Sequence, residues 1–132
     1  MAQMFAVTAE QYAGAVAFRD ACHEVADLLR RLERAHVKSA GSMLTVFDRQ
    51  AKQIDDLPPP PQTEMAGQKL KQLRKLRGNA LKACALLDAY KARGIAGTEE
   101  DTWSHLRAMD TALDGIPDEN GRPYVAGQKH GL

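Results

Sequence analysis

Leu57-Pro58-Pro59-Pro60-Pro61-Gln62-Thr63-Glu64 decides how this chain is read. Four consecutive prolines donate no backbone hydrogen bonds, fix φ and favour an extended polyproline II path, so no helix crosses them. The chain divides here. Thr63 is placed to cap a helix that starts there, with Glu64 in its first turn, where the partial positive charge of a helix N-terminus favours an acid. Pro-rich segments also dock into aromatic-lined grooves, but between helices these four read as a stiff connector.

Downstream, helix is expected over about residues 63–93, stopping at Gly94, whose tolerance of positive φ suits a helix end. Ala66, Leu70, Leu73, Leu76, Ala80, Ala83, Cys84, Leu87 and Tyr90 supply its apolar stripe. Upstream, Thr8 and Gln11 have the spacing of a capping box and open a helix that can run from about 8 to about 38. Its seam, Ala15, Phe18, Cys22, Val25, Leu29, Leu32 and His36, alternates steps of three and four, and Ala21 and Leu28 widen it. Ser39, Ala40 and Gly41 mark a weak point, after which Ser42 is placed to cap a shorter helix over about 42–56. Beyond a Gly94–Gly97 turn, Thr98 with Glu99, Glu100 and Asp101 opens a second short helix over about 98–113, anchored by Trp103 and closed by Asp114-Gly115. Residues 116–132, rich in Gly, Pro and polar side chains, read as a flexible tail.

Ala, Leu, Gln, Lys and Arg dominate and no strand pattern stands out, so the expected fold class is all-α. The two long helices, each roughly 45 Å at about 1.5 Å per residue, predict an elongated antiparallel bundle completed by the two shorter ones. One helical domain is expected over 1–115, with Pro58–Pro61 as its connector. At 132 residues, 44% hydrophobic but only 5% aromatic, the chain can bury one core, which must be aliphatic. Cys22 and Cys84 read as buried reduced thiols, a bridge between them being the alternative. The apolar stretch Met4–Phe18 has no preceding Lys or Arg and contains Glu10, so it reads as a helix start and not as a signal peptide. No run approaches the roughly 18–20 apolar residues of a membrane span, and a cytoplasmic setting is expected.

Candidate chemistry is sparse. His23 and His36 lie thirteen residues apart on one expected helix, roughly 20 Å, too far for one metal ion. A zinc site or Cys–His pair built on Cys22 and His23 needs Cys84 or His105 brought in by folding. Asp118-Glu119-Asn120-Gly121 has the look of part of a calcium loop, but an EF-hand register puts the first ligand on Ile116 and the last on Gly127. Gly94-Ile95-Ala96-Gly97 lacks the strand, spacing and lysine of a phosphate loop. Asp110 with Asp114, and Asp55 with Asp56, are acidic pairs of a kind far commoner at helix ends than at metal sites. No enzymatic activity, cofactor or metal is expected.

Charge placement is more informative. Eighteen Lys and Arg against seventeen Asp and Glu give a net +1, but residues 1–57 carry −1, residues 64–93 carry +6 and residues 94–132 carry −4. At 100° per residue, Lys71, Arg74, Lys75, Lys82 and Arg93 fall within a sector of about 100° opposite Leu70, Leu73, Leu76 and Leu87. This ridge is either a solvated face screened by the acidic C-terminal region or a contact surface for a negative partner.

The function expected is a non-enzymatic protein-binding or assembly module acting through helical surfaces: an adaptor, an inhibitor of a larger machine, or a small virion or secretion accessory protein. Its partners would be another protein, further copies of itself through the heptad-type seams, or both. Nucleic-acid binding through the ridge is the alternative, although no aromatic interleaves the basic run. A metal-dependent hydrolase is a third reading. Membrane insertion is not expected, because the apolar face lacks Trp and Phe and is needed for the core.

Overall fold

Thr8 opens the first helix as its sequence predicts. Its hydroxyl accepts from Gln11 N while the Gln11 side chain accepts from Thr8 N, both at 2.9 Å, and α1 runs Ala9–Arg34. The structure, a computed structural model, describes residues 3–91, 106 and 110–123. Along α1, Ala15, Phe18, Cys22, Val25, Leu29 and Leu32 are buried, as the seam predicts.

The end of α1 differs from expectation. Ala35 N bonds to Arg31 O, His36 N to Glu33 O and Val37 N to Leu32 O, with His36 at φ 66°. This is a Schellman termination with histidine in the left-handed position, and it places Val37 beside Leu32 in the core. His36 is therefore exposed at a helix end and not on the seam. Helix α2, Lys38–Gln53, starts at once, so Ser39–Gly41 lie inside it and Ser42 caps nothing. Small residues allowed that segment to stay helical once the reversal had been made three residues earlier. The exposed Glu33 side chain lies over Gly41, its Oε2 2.6 Å from where a Cβ would stand.

Cross-links between α1 and α2 run in opposite senses along the two helices. Arg30 pairs with Asp48 at 3.2 Å, while Arg19 Nη1 donates to Asp55 O at 3.4 Å and His23 meets the Asp55 carboxylate at 2.7 Å. The two are thus antiparallel. After Ile54–Asp56 comes the proline connector, which contains a cis Pro60–Pro61 peptide and accepts a hydrogen bond from the Tyr12 hydroxyl at Pro58 O, 2.8 Å.

A small sheet corrects the all-α expectation. Strands β1 (Met4–Ala6) and β2 (Glu64–Ala66) pair antiparallel, with Phe5 opposite Met65, and the ladder extends through Val7 N to Thr63 O and Gly67 N to Gln3 O. Thr63 is therefore sheet flank and not a helix cap, and α3, Gly67–Lys91, begins four residues later than expected. The alternation is visible in burial: Phe5 and Val7 turn inward while Met4 and Ala6 are exposed. The Phe5 ring packs over Gly67 and Gly121, where a Cβ would meet it at 3.1 and 3.2 Å.

Lys69 Nζ reaches Gln53 O at 2.7 Å and Asn79 reaches Gln50, so α2 is antiparallel to α3 as well. The order is up-down-up, with α1 and α3 parallel, where the sequence predicts an antiparallel pair. The reversal falls at Ala35–Val37 and not at the prolines.

Leu106 and residues 110–112 are helical, and turns follow at 113–115, with Gly115 at φ 82°, as Asp114-Gly115 predicts. Gln11 Nε2 donates to Asp114 O at 2.9 Å, and Ala112 Cβ lies 2.8 Å from the Cβ position of Gly14, so this segment crosses the start of α1. Most of the helix expected over 98–113, with Trp103 and the Gly94 stop, lies outside the described residues. Residues 116–123, which the sequence assigns to the tail, fold back: Ile116 is 3% exposed and Pro117 pairs with Pro123. Asp118 Oδ1 accepts from Asn120 N and Arg122 N, and Gly121 takes φ 80°. Asp118-Glu119-Asn120-Gly121 is thus a hairpin turn, stabilised by an aspartate that bonds its own backbone.

Candidate functional site, the cationic side of α3

Leu70, Leu73, Leu76 and Leu87 are buried to 3% exposure or less, so the predicted apolar stripe faces the core. Opposite it, Lys71, Lys75 and Lys82 are exposed, and among the described residues none of the three has an ion-pair partner. Arg93 lies outside the described residues. Arg74 behaves differently from the three lysines: its guanidinium bonds Glu119 directly and stands 3.8 Å from Asp118. The acidic C-terminal region thus screens one member of the ridge.

The turn that holds Arg74 is itself electrostatically set. The Arg122 backbone N–H, then that of Asn120, together with the Arg74 and Arg122 charges, hold the Asp118 carboxyl below its ordinary value of 3.8 against the opposing effect of desolvation. Beneath the turn, a void of about 20 Å³ lined by Leu70, Leu73, Leu113 and Ile116 has room for little more than one water.

Two other cations of α3 are also matched with acids. Lys69 meets Asp56 at 2.6 Å, and Arg77, only 1% exposed, bonds Asp110 through Nε at 2.9 Å. Arg77 was missed as a core residue by stripe reading, yet its position, seven after Leu70 and four after Leu73, is seam spacing. Asp110, an acid of a kind common at helix ends, is only 7% exposed and lies against this arginine.

Between α2 and α3 the cationic side becomes concave. Gln50, Arg74, Lys75, Gly78, Asn79 and Lys82 line an open groove of about 280 Å³. Asn79 Nδ2 donates to Gln50 Oε1 at 2.7 Å, which satisfies the side-chain oxygen of a glutamine that is 9% exposed. Gln50, Gly78 and Asn79 were not among the sequence candidates; no charge or periodicity marks them, since the groove exists only once α2 lies alongside.

The residues considered for catalysis do not gather here. Burial, and then the neighbouring Cys84, push the Cys22 thiol well above its ordinary value, which disfavours a thiolate. Both cysteines are buried and neither is in a disulfide. His23 is engaged with Asp55 at the α1–α2 surface, and His105 lies outside the described residues. Among the described residues no group of three or more His, Cys, Asp or Glu comes together, and no helix is long and apolar enough to cross a membrane. The chain matches no protein-family model, no curated protein and no solved structure.

Proposed function

We propose that the chain is a non-enzymatic protein-binding module that docks an acidic segment of a partner protein along the exposed side of α3. One observation carries this reading: Lys71, Lys75 and Lys82 stand unpaired among the described residues, on a helix where Lys69, Arg74 and Arg77 each meet an acid. From Lys71 to Lys82 the row spans roughly 16 Å at about 1.5 Å per residue, which matches a short extended segment better than a single ion. Charges of this kind steer encounter and fix register more than they add affinity. No aromatic side chain lines the groove for bases to stack on, which favours an acidic polypeptide over nucleic acid. The buried Cys22 thiol and the His23–Asp55 pair lie outside the groove, which supports a binding role over a catalytic one.

Affinity capture from the native source, with the wild-type chain and with a Lys71→Glu, Lys75→Glu, Lys82→Glu variant, tests the reading. The wild type should retain a stoichiometric protein partner that is released as ionic strength rises, and the variant should lose it. Equal retention by both, or a wild type that stays monomeric and alone, overturns it.

A further inference from the structure

Six glycines are described, and four have a steric or conformational reason to be glycine. Ala112 crowds the Cβ position of Gly14 and the Phe5 ring that of Gly67, Gly115 and Gly121 take positive φ, and at Gly41 only the movable end of the exposed Glu33 side chain stands near. Gly78 has neither: a Cβ there would meet nothing within 4 Å. Glycine in a helix interior is destabilising relative to alanine, so this position gives up helix stability with no packing return. At 100° per residue it falls in the middle of the sector that carries Lys71, Arg74, Lys75 and Lys82, and it forms part of the groove wall. Lys75 precedes it by one turn and Lys82 follows it by one turn. A gap that exposes helix backbone, bracketed by two ammonium groups, is suited to close approach of a compact anion.

We propose that this groove seats a phosphoryl group carried on the partner's acidic segment, as phosphoserine or phosphothreonine. Lys75 and Lys82 close on it from either end, the Gly78 gap admits it against α3, and Gln50, whose Oε1 is taken up by Asn79, offers its amide N–H on the opposite wall. The lysines stand roughly 10 Å apart along the helix axis, at about 1.5 Å per residue. A phosphate, with a charge of about −1.5 to −2 and three acceptor oxygens, can engage both lysines and an amide together; a carboxylate has one charge and two oxygens. This assignment rests on the acidic-partner reading above, whose failure is separable from its own.

The test titrates the full chain, by calorimetry and amide NMR, with an acidic-flanked phosphoserine peptide, its Ser and Glu forms, inorganic phosphate and an oligo-dT of matched charge. The phosphopeptide should bind about ten-fold tighter than the Glu form, in line with added charge-assisted hydrogen bonds. Inorganic phosphate should move the Gly78, Asn79 and Lys82 amides saturably. Gly78→Leu should abolish the phosphate preference, so that the phosphopeptide and the Glu form bind alike. Gly78→Ala, which strengthens the helix, should show the same loss in smaller measure and keeps the result readable should the leucine variant misfold. Lys71→Gln, outside the groove, should weaken all peptides alike. Equal binding of the phospho and Glu peptides, or a preference that survives Gly78→Leu, overturns the seat and leaves the acidic-partner reading standing. If no peptide binds but inorganic phosphate still moves the groove amides, the partner reading falls and the seat serves free phosphate. Equal shifts at Lys38, Lys71 and Lys82 mean diffuse counter-ion binding and overturn the proposal, as does tighter binding of oligo-dT than of phosphopeptide.

Discussion

Helix α3 carries two sets of basic side chains, rows by partner and not by angle since Arg74 shares the angular sector of the three lysines, and only one of them closes the fold. On the first, Lys69 meets Asp56 beyond the end of α2, Arg77 meets Asp110 in the helical segment after α3, and Arg74 meets Glu119 in the terminal hairpin turn. Each pair ties a different stretch of chain to the same helix. On the second row, Lys71, Lys75 and Lys82 tie nothing down among the described residues. The sequence assigns +6 to residues 64–93 without distinguishing the rows. What separates them is where acids from distant segments arrive after folding, so the residual positive charge lies on one side only.

The largest effect is expected at Arg77. Asp110→Ala takes one carboxylate partner from a guanidinium that is 1% exposed, and breaking a buried pair from one side destabilises by about 3–5 kcal/mol. Urea unfolding should show it directly. Removing both charges, with Arg77→Met and Asp110→Leu together, should recover most of that loss, because the cost of desolvating the pair is removed with the pair. A small effect of Asp110→Ala would place Arg77 with the second row and erase the distinction.

How far this layout could be read from residues alone depends on whether the signal is local. The Thr8–Gln11 capping box, the seam from Ala15 to Leu32, the buried leucines of α3 and the Gly115 stop all rest on spacing within one or two turns, and each is realised. His36 was read as a seam residue because periodicity does not report a left-handed φ; the backbone bonds of Ala35–Val37 set the reversal instead. The β1–β2 pairing joins Phe5 to Met65, sixty residues away, and two three-residue strands carry too little alternation to announce themselves. The cationic ridge was legible as an angular sector, but the removal of Arg74 from it, and the Gly78 groove opposite Gln50, follow from tertiary neighbours.

Arg74 is the intermediate case, with its side chain 40% exposed. Arg74→Met should cost at most about 1 kcal/mol, since solvent and salt screen a pair of this exposure. Its sharper signature is local and depends on pH. Asp118 has a folded pKa below its ordinary 3.8, so its contribution is fully present above that value and is lost as pH falls through the lower, folded one. Hydrogen exchange at Asn120 and Arg122, whose N–H groups donate to Asp118, should therefore accelerate as pH drops below about 3.8, relative to intrinsic rates. Asp118→Asn should remove that step. Asp48, which Lys52 and Arg30 hold low against the opposing effect of burial, loses its contribution in the same direction, and should leave the α1–α2 side acid-sensitive in the Asn variant.

The smallest expected effects belong to the second row, and their smallness is the point. Lys71→Gln, Lys75→Gln and Lys82→Gln should each change unfolding free energy by less than about 0.5 kcal/mol, as exposed substitutions without partners do. The sign carries further information. Lys71 and Lys75 are one turn apart, and like charges at that spacing repel by about 0.2–0.5 kcal/mol, so neutralising either should raise the urea midpoint slightly at low salt. The gain should fade as salt shortens the screening length below the distance between the two ammonium groups. A loss of about 1 kcal/mol or more would mean that one of these lysines holds an acid in the native chain. The row would then be structural like its neighbour, and a partner would find no unpaired charge to meet.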